Sequence, residues 1–476
     1  MKRNFSVNLL FLVVLNLLIK PIYVFGIEVG IQNTVGPAEY GLYYAMFNFT
    51  FLFNVVLDMG INNFQKIKVA EDNLMGIRNM TTLLPLKAVL SLLYFAVTIG
   101  AALIIGFEGR YWFFIVVLMF NHVLSAFLLL LRANISGLQL FFRDSIVSVI
   151  DRGILILAIG YLLWFSHLPF HIEYLAILQT AAYIIAIITA LLITPAASRS
   201  FSFQLDIGKM RSMIRATWPY ALLILLMTAY NKLDGVMLER LAQDGLVEAG
   251  IYAQAYRIID AGNSFAFLYA GMLLPIFSRL ISTNKSDDLR NMIDQGARFL
   301  VIPAGLASVL MVYKAEWFMD LLYTSSVVES ANAFQWLMGS FLFICMGYVF
   351  GTYLTASNQL AAMNWIAFAA VIVNITLNVA LIPNLGAHGA ALASFSSLLI
   401  MALAQIVLVY RSVSIRLFQW FWRGLVCWIS LAITGYAINQ VNLSDLSAIG
   451  LLIAAAIVLY VLIGLKRSDL KTAIPS

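Results

Sequence analysis

Long apolar runs, each closed by a charge, a proline or a glycine, recur along the 476 residues from the N-terminal region almost to the last ten positions. A helix that crosses the hydrocarbon core needs about 20 predominantly apolar residues, and the runs predict about 14 such helices. Their centres fall near Leu18, Phe51, Phe95, Leu118, Leu155, Tyr183, Leu226, Phe265, Gly305, Phe343, Val371, Leu398, Ile433 and Ala456. The first run begins like a signal peptide, with Lys2 and Arg3 ahead of apolar residues. No small-residue cleavage site follows and apolar character continues past Tyr23, so an uncleaved first helix is predicted.

Composition agrees with this pattern. Hydrophobic residues make up 62% of the chain and charged residues 11%, against roughly 45–50% and about 25% in soluble domains. The expected class is an all-α polytopic membrane protein. Cys345 and Cys427 lie in apolar runs with no Cys or His partner at ligand spacing, which excludes a disulfide scaffold and a zinc site. The net charge of +6 comes from basic residues in short loops, a topology signal rather than a nucleic-acid footprint. With the N-terminus inside, most of the 29 Lys and Arg collect on the inner side, and the outer loops keep only Arg110, Arg240 and Lys314. Lys20, Lys87, Arg152, Lys232 and Arg257 fall within or at the ends of spans. Both termini are expected to be cytoplasmic.

Extramembrane segments do not exceed roughly twenty residues, too short for a domain of their own; the longest are 195–216 and 278–296. The chain has no Walker loop, no His/Glu zinc signature and no dinucleotide glycine fingerprint, so neither ATP hydrolysis nor any cofactor is expected. An internal repeat organises the rest. Glu39-Tyr40-Gly41-Leu42-Tyr43 at the start of the second span recurs as Glu248-Ala249-Gly250-Ile251-Tyr252 at the start of the eighth. An even number of spans separates the copies, so both lie on the same side, as in parallel repeats related by an axis along the membrane normal. The expected organisation is two six-helix lobes, 1–195 and 217–410, a cytoplasmic linker at 196–216, and two further helices with the tail in 411–476.

Candidate functional residues are the charges and amides inside spans. A charged side chain at the membrane centre costs about 2.5–3.5 kcal/mol on the insertion scale, so it is expected to face a bundle interior or a wet cavity. Lys20 precedes Pro21, where the first helix is expected to kink and free carbonyls. Asn16, Lys20 and Tyr23 share one helix face. Lys20 reads as a cavity cation or as a lysine snorkelling to the interface. Phe47, Phe51, Asn54, Asp58 and Asn62 form one stripe on the second span, with Asp58 read as a gating or coupling group or as an end-cap. Asp151 and Arg152 are neighbours in the fifth span and diverge by about 100°, so each is expected to need a partner elsewhere. Lys232 and Asp234, close after Tyr230, stand in the seventh span, where the cation mirrors Lys20. Arg257 and Asp260 are three apart and placed to pair along the eighth. Asn374 and Asn378, one turn apart in the eleventh, read as ion ligands or as cross-helix hydrogen bonders. Cations in both halves suit an anionic substrate, phosphate or pyrophosphate. The candidate substrate-binding set is Lys20, Lys232, Arg152, Arg257, Tyr23 and Asn16; the coupling or gating set is Asp58, Asp151, Asp234, Asn374 and Asn378.

Five stretches in order carry a resemblance: Val35-Gly36-Pro37-Ala38-Glu39-Tyr40-Gly41-Leu42-Tyr43, Asp58-Met59-Gly60, Asn231-Lys232-Leu233-Asp234, Ala249-Gly250-Ile251-Tyr252-Ala253-Gln254-Ala255-Tyr256-Arg257, and Gly386-Ala387-His388-Gly389-Ala390-Ala391-Leu392-Ala393. Together they resemble the bacterial polysaccharide-biosynthesis flippases, the O-antigen and capsule repeat-unit translocases of the multidrug, oligosaccharidyl-lipid and polysaccharide exporter superfamily. The resemblance runs from the first span to about the twelfth. It implies two six-helix lobes forming a V, a cationic central cavity compatible with Lys20, Arg152, Lys232 and Arg257, and a bacterial inner-membrane location. It also implies translocation of an undecaprenyl-pyrophosphate-linked oligosaccharide to the outer face.

The leading expectation is therefore a flippase working by alternating access, not an enzyme. Its partners would be the lipid-linked oligosaccharide, the bilayer, H+ or Na+ as coupling ion, and the polymerase and glycosyltransferases of the same pathway; nucleic acid is not among them. A drug exporter of the same fold is the alternative, although its cationic ligands would want acidic cavity residues. A polysaccharide polymerase would be expected to carry a large outer loop with catalytic groups, whereas His167, His171 and Glu173 form the one notable outer cluster.

Overall fold

The computed structural model describes residues 15, 18–62, 65, 69, 73–138, 140–194, 207–413, 417–441 and 443–465. These residues are overwhelmingly helical, with no strand among them, and 11 of the helices are long and apolar enough to cross a membrane. The chain is an all-α, multi-pass membrane protein.

Pro21 heads a π-helical stretch, Ile22–Glu28, the wider winding that relieves a helix where proline disturbs its hydrogen bonds. Helix α1 (Val29–Leu52) follows and breaks at Gly36, where φ is 78° and ψ 171°. Only glycine occupies that region without strain, and Pro37 suits the first turn of the helix that resumes. The break divides the first predicted span from the second. A short α2 (Val55–Asp58) closes at Met59 in the left-handed conformation. Then come α3 (Asn73–Ile105), α4 (Tyr111–Gly137), α5 (Phe141–Trp164), α6 (Ile172–Ile193) and α7 (Ile207–Leu241).

The second half runs α8 (Gly245–Ser282), α9 (Ser286–Tyr313), a short α10 (Ala315–Leu322), α11 (Val327–Ala356) and α12 (Leu360–Val413). It ends with α13 (Leu417–Asn439) and α14 (Asp445–Leu459). An unbroken helix of 54 residues would be about 80 Å long, far more than a bilayer needs. At Gly386 the backbone turns to φ 53° and ψ −132° and splits α12 into the predicted eleventh and twelfth spans.

The chain groups into two units, Met1–Glu239 and Arg240–Ser476. In the first, Leu83 and Leu86 of α3, Leu130 of α4, Val147 of α5 and the small Ala186 and Ala190 of α6 form a buried core. Helix α7 packs within this unit: Tyr111 donates to Glu239 at 2.8 Å, and a side chain at Gly235 would run into Asn48 and Tyr44 of α1. In the second unit, Ala266, Ala304 and Cys345 bring α8, α9 and α11 close, the small-residue contact favoured in membranes. The last two helices are fastened to α9. The Trp428 indole donates to the Ile302 carbonyl at 3.1 Å, filling the space left by Gly305. Lys314 pairs with Asp445 of α14 at 2.8 Å, and Arg423 of α13 donates to the Ile463 and Leu465 carbonyls in and just past the π-helical stretch Tyr460–Gly464 that follows α14.

Candidate functional site

The sequence repeat is also a structural one. In the first unit Glu39 accepts two hydrogen bonds from Arg110, at 2.8 and 2.7 Å. Arg110 also donates through Nε to Glu173, in the first turn of α6, at 2.8 Å. Tyr43, one turn on, accepts from Gln179 of the same helix at 2.7 Å. In the second unit Glu248 accepts directly from the Ala387 amide, at 2.6 Å, where α12 resumes after Gly386. Tyr252, one turn on from Glu248, shares a hydrogen bond of 3.4 Å with Ser394, two turns beyond Ala387. The ring pairs match as well: Tyr43 with Phe47 at 6.0 Å, Tyr252 with Tyr256 at 5.9 Å. In the first unit the glutamate and tyrosine of the motif tie α1 to α6, and in the second they tie α8 to the part of α12 that follows Gly386.

The intramembrane cations gather in the first unit. Lys20, half-buried just before the π-helical stretch, lies within electrostatic range of Arg152, Arg132 and Asp151. Arg152 rests 5.9 Å from the ring of Tyr23 and pairs with Asp151 at 3.0 Å. The expectation that Asp151 and Arg152 each need a partner elsewhere is therefore corrected. The divergence of neighbours applies to their Cβ directions, and the long arginine side chain bends back to reach the adjacent carboxylate. Arg132 pairs with buried Asp144 at 2.9 Å. Asn16 lies outside the described residues. Lys20, Tyr23 and Arg152 are thus brought together as one group, with Asp151 and Glu28 within electrostatic range of Arg152.

A second group of the same unit centres on α1. Phe47 and Phe51 stack one turn apart, with centroids 5.8 Å apart, and Lys232 from α7 places its ammonium 5.7 Å from the Phe51 centroid. This is a cation–π contact. Asp234, two residues on, is buried at 1% exposure. Asp58 pairs with Lys87 at 3.1 Å, and Lys87, with a side-chain exposure of 0%, also donates to the Leu57 carbonyl at 2.8 Å. Asp58 therefore neither pairs with Lys20 or Lys232 nor stands alone, and the stripe of α1 and α2 splits into an aromatic part and an ion-paired end.

In the second unit Arg257 and Asp260 pair along α8 at 3.3 Å, as their spacing predicts. Asn374 and Asn378 are fully buried, and Asn378 donates to the Asn374 carbonyl oxygen at 3.1 Å along their own helix. Two residues escaped the sequence reading. Lys87 is a lone cation after Pro85 whose partner stands 29 positions away in sequence. His122 of α4, at 6% exposure, has its ring 5.2 Å from Phe47 and 5.4 Å from Phe51. A histidine in an apolar run was the available signal.

Residues 6–281 match the family model described as polysaccharide biosynthesis protein. The chain belongs to that family. No curated protein sequence matches the chain. The fold is that of a structure titled lipid II flippase MurJ in an inward closed conformation, with a TM-score of 0.71, 12% identity and coverage of 96% of this chain and 97% of that one. It is also similar to an inward-facing multidrug resistance transporter of the MATE family within the MOP superfamily, with a TM-score of 0.66, 14% identity and coverage of 82% and 94%. A MOP superfamily transporter from Pyrococcus furiosus, whose title reports a binding pocket of reversed polarity, is similar with a TM-score of 0.59, 13% identity and coverage of 84% and 95%. The polysaccharide biosynthesis match takes in Lys20, Tyr23, Asp58, Asp151, Arg152, Lys232, Asp234 and Arg257, and it ends within α8, before Asn374 and Asn378.

Proposed function

We propose that the chain is a flippase that moves an undecaprenyl-pyrophosphate-linked oligosaccharide across a bacterial cytoplasmic membrane by alternating access, for surface polysaccharide assembly. The observation that carries this reading is the gathering of Lys20, Arg152 and Tyr23 in the first unit, where Lys20 stands within electrostatic range of Arg152, Arg132 and Asp151. Such charge is costly in hydrocarbon and earns its place where an anion is bound. Lys20, Arg152 and Tyr23, with Lys232 over Phe51, would hold the pyrophosphate while the prenyl tail stays in lipid. Arg257 is a weaker candidate, because Asp260 already answers its charge. Asp58, Asp151, Asp234, Asn374 and Asn378 remain the coupling or gating set, with H+ or Na+ as the ion. Segments 1–195 and 217–410 would act as the two lobes, 196–216 as a cytoplasmic linker and 411–476 as an added pair with its tail, both termini inside. Family membership and the shared fold of MOP transporters support transport over polymerase chemistry. A drug exporter shares that fold, but the excess of cations suits a cationic drug poorly.

Cells lacking the protein should accumulate lipid-linked repeat units on the inner leaflet. Lys20→Ala and Lys232→Ala should insert at near-normal abundance while surface polysaccharide falls sharply, because removing an intramembrane cation relieves a cost. Full transport by both variants would defeat the binding-site assignment. Repeat units that reach the outer face but stay unpolymerised would move the function to a polymerase.

A further inference from the structure

Two helices of the second unit are joined by an element that the repeat does not require. Helix α9 ends at Tyr313 and α11 begins at Val327, and both are long and apolar enough to cross a membrane. Their counterparts in the first unit are α3, which ends at Ile105, and α4, which begins at Tyr111, joined by the short turn 106–110. In the second unit residues 314–326 make the same connection and form α10 (Ala315–Leu322) on the way. A link between two spanning helices lies at the membrane surface. This one is on the same side as Glu248 and the break at Gly386, which the proposed orientation makes the outer side.

The helix is fixed by one face and by both ends. Ala315 and Met319, one turn apart, are buried at 2% and 0% exposure. At the N-terminal end Lys314 pairs with Asp445 of α14 at 2.8 Å, and just past the C-terminal end the Tyr323 hydroxyl donates to the Gln254 carbonyl of α8 at 3.2 Å. Two further stripes are left over. Glu316 and Asp320, one turn apart, are exposed. Trp317 and Leu321, also one turn apart and about 100° further round, form an apolar stripe. Leu321 is 64% exposed, and the half-buried Trp317 meets the Phe318 ring with centroids 5.2 Å apart.

Those two stripes decide how the helix lies. Carboxylates need water, leucine gains from leaving it, and an indole, an apolar ring with one N–H, suits the head-group layer. If the axis stood along the membrane normal, both stripes would span the same depths and one of them would be in the wrong medium. With the axis in the membrane plane, Glu316 and Asp320 point to water while Trp317 and Leu321 dip into the boundary between head groups and acyl chains. The buried stripe then lies on the opposite flank, as suits a helix with protein on one side, lipid on the other and water above. We propose that α10 is an interfacial anchor whose apolar stripe, Trp317 with Leu321, binds the head-group boundary of the outer leaflet. Because Lys314 and Tyr323 tie the same segment to α14 and α8, that contact sets the depth at which the second unit sits. The inference is independent of what the protein transports.

The test uses the full chain in nanodiscs of phosphatidylethanolamine and phosphatidylglycerol. A nitroxide is attached in turn to Glu316→Cys, Trp317→Cys, Asp320→Cys and Leu321→Cys. The native Cys345 and Cys427 are buried, and the chain without an added cysteine is the labelling control. Collisions with oxygen, which concentrates in lipid, are compared with collisions with a water-soluble nickel chelate. The oxygen-to-nickel ratio should be severalfold higher at 317 and 321 than at 316 and 320, with the first two labels about 5–10 Å into the boundary. Equal ratios at the four positions, or higher ones at 316 and 320, would overturn the proposal. A second measurement leaves the helix unlabelled. Tryptophan fluorescence of wild type and Trp317→Phe is read in phospholipids brominated either near the head group or near the chain end. The difference between the two chains is the share of Trp317, which should be quenched more by the shallow bromine. No quenching of that share, or stronger quenching by the deep bromine, would equally defeat the anchor.

Discussion

The two halves begin from one five-residue phrase and secure it differently. In the first, Glu39 reaches α6 through a third residue, Arg110, in a network whose Arg110 and Glu39 side chains are 44% and 43% exposed. In the second, Glu248 needs no intermediary. Its carboxylate accepts from the backbone of α12 at the break made by Gly386. Two of the ion pairs differ in reach as well: Lys87 of α3 joins Asp58 of α2, whereas Arg257 and Asp260 pair within one turn of α8. A repeated motif thus preserves which helices are joined without preserving the chemistry that joins them.

Substitutions can break this comparison, and the largest effect belongs to the cross-helix pair. Asp58→Ala would strand the fully buried Lys87 and should cost about 3–5 kcal/mol, seen as lost abundance and a lower Tm in detergent. Asp260→Ala, whose carboxylate is 35% exposed in a local pair, should cost well under half of that. Gly386→Ala comes next at about 3 kcal/mol, because it adds backbone strain and drives a Cβ onto the Glu248 carboxylate, displacing the cap as well. Gly36→Ala meets open space and should show the strain alone, about 1–2 kcal/mol; equal Tm losses for the two glycine variants would refute the capping role of Glu248. Glu248→Ala, which removes only the acceptor, should cost about 1 kcal/mol, and Glu248→Gln should recover part of it. The smallest effect is expected from Arg110→Ala, about 0.5 kcal/mol and fading with added salt, since its pairs are exposed. A loss above that of Glu248→Ala would reverse the ranking of the two halves.

The helices were legible in the sequence because membrane spans are written locally, as runs of apolar residues. The breaks were less so: two predicted spans meet within α1 and within α12 with no loop, and only a glycine with a proline close by, Gly36 with Pro37 and Gly386 with Pro383, marks each join. The motif glutamates could be found by repetition, but their partners could not, since Arg110 and Ala387 stand 71 and 139 positions away. Arg257 with Asp260 was legible because helical spacing alone brings them together. Asp151 with Arg152 was misread, because spacing describes where side chains start and not how far an arginine reaches. Lys87 and His122 were passed over for the same physical reason: a lone polar residue in an apolar run gains its meaning from the neighbour that the fold supplies.

The indole of Trp428 occupies the place where a side chain at position 305 would stand, and its N–H satisfies the Ile302 carbonyl beside Pro303. The last pair of helices has therefore been written into α9 by subtraction. A chain cut after Val413 would expose a ring-sized notch to lipid and would lose the indole's hydrogen bond to the Ile302 carbonyl. A twelve-helix version of this architecture would be expected to fill that notch from α9 itself, with a bulkier residue in place of Gly305.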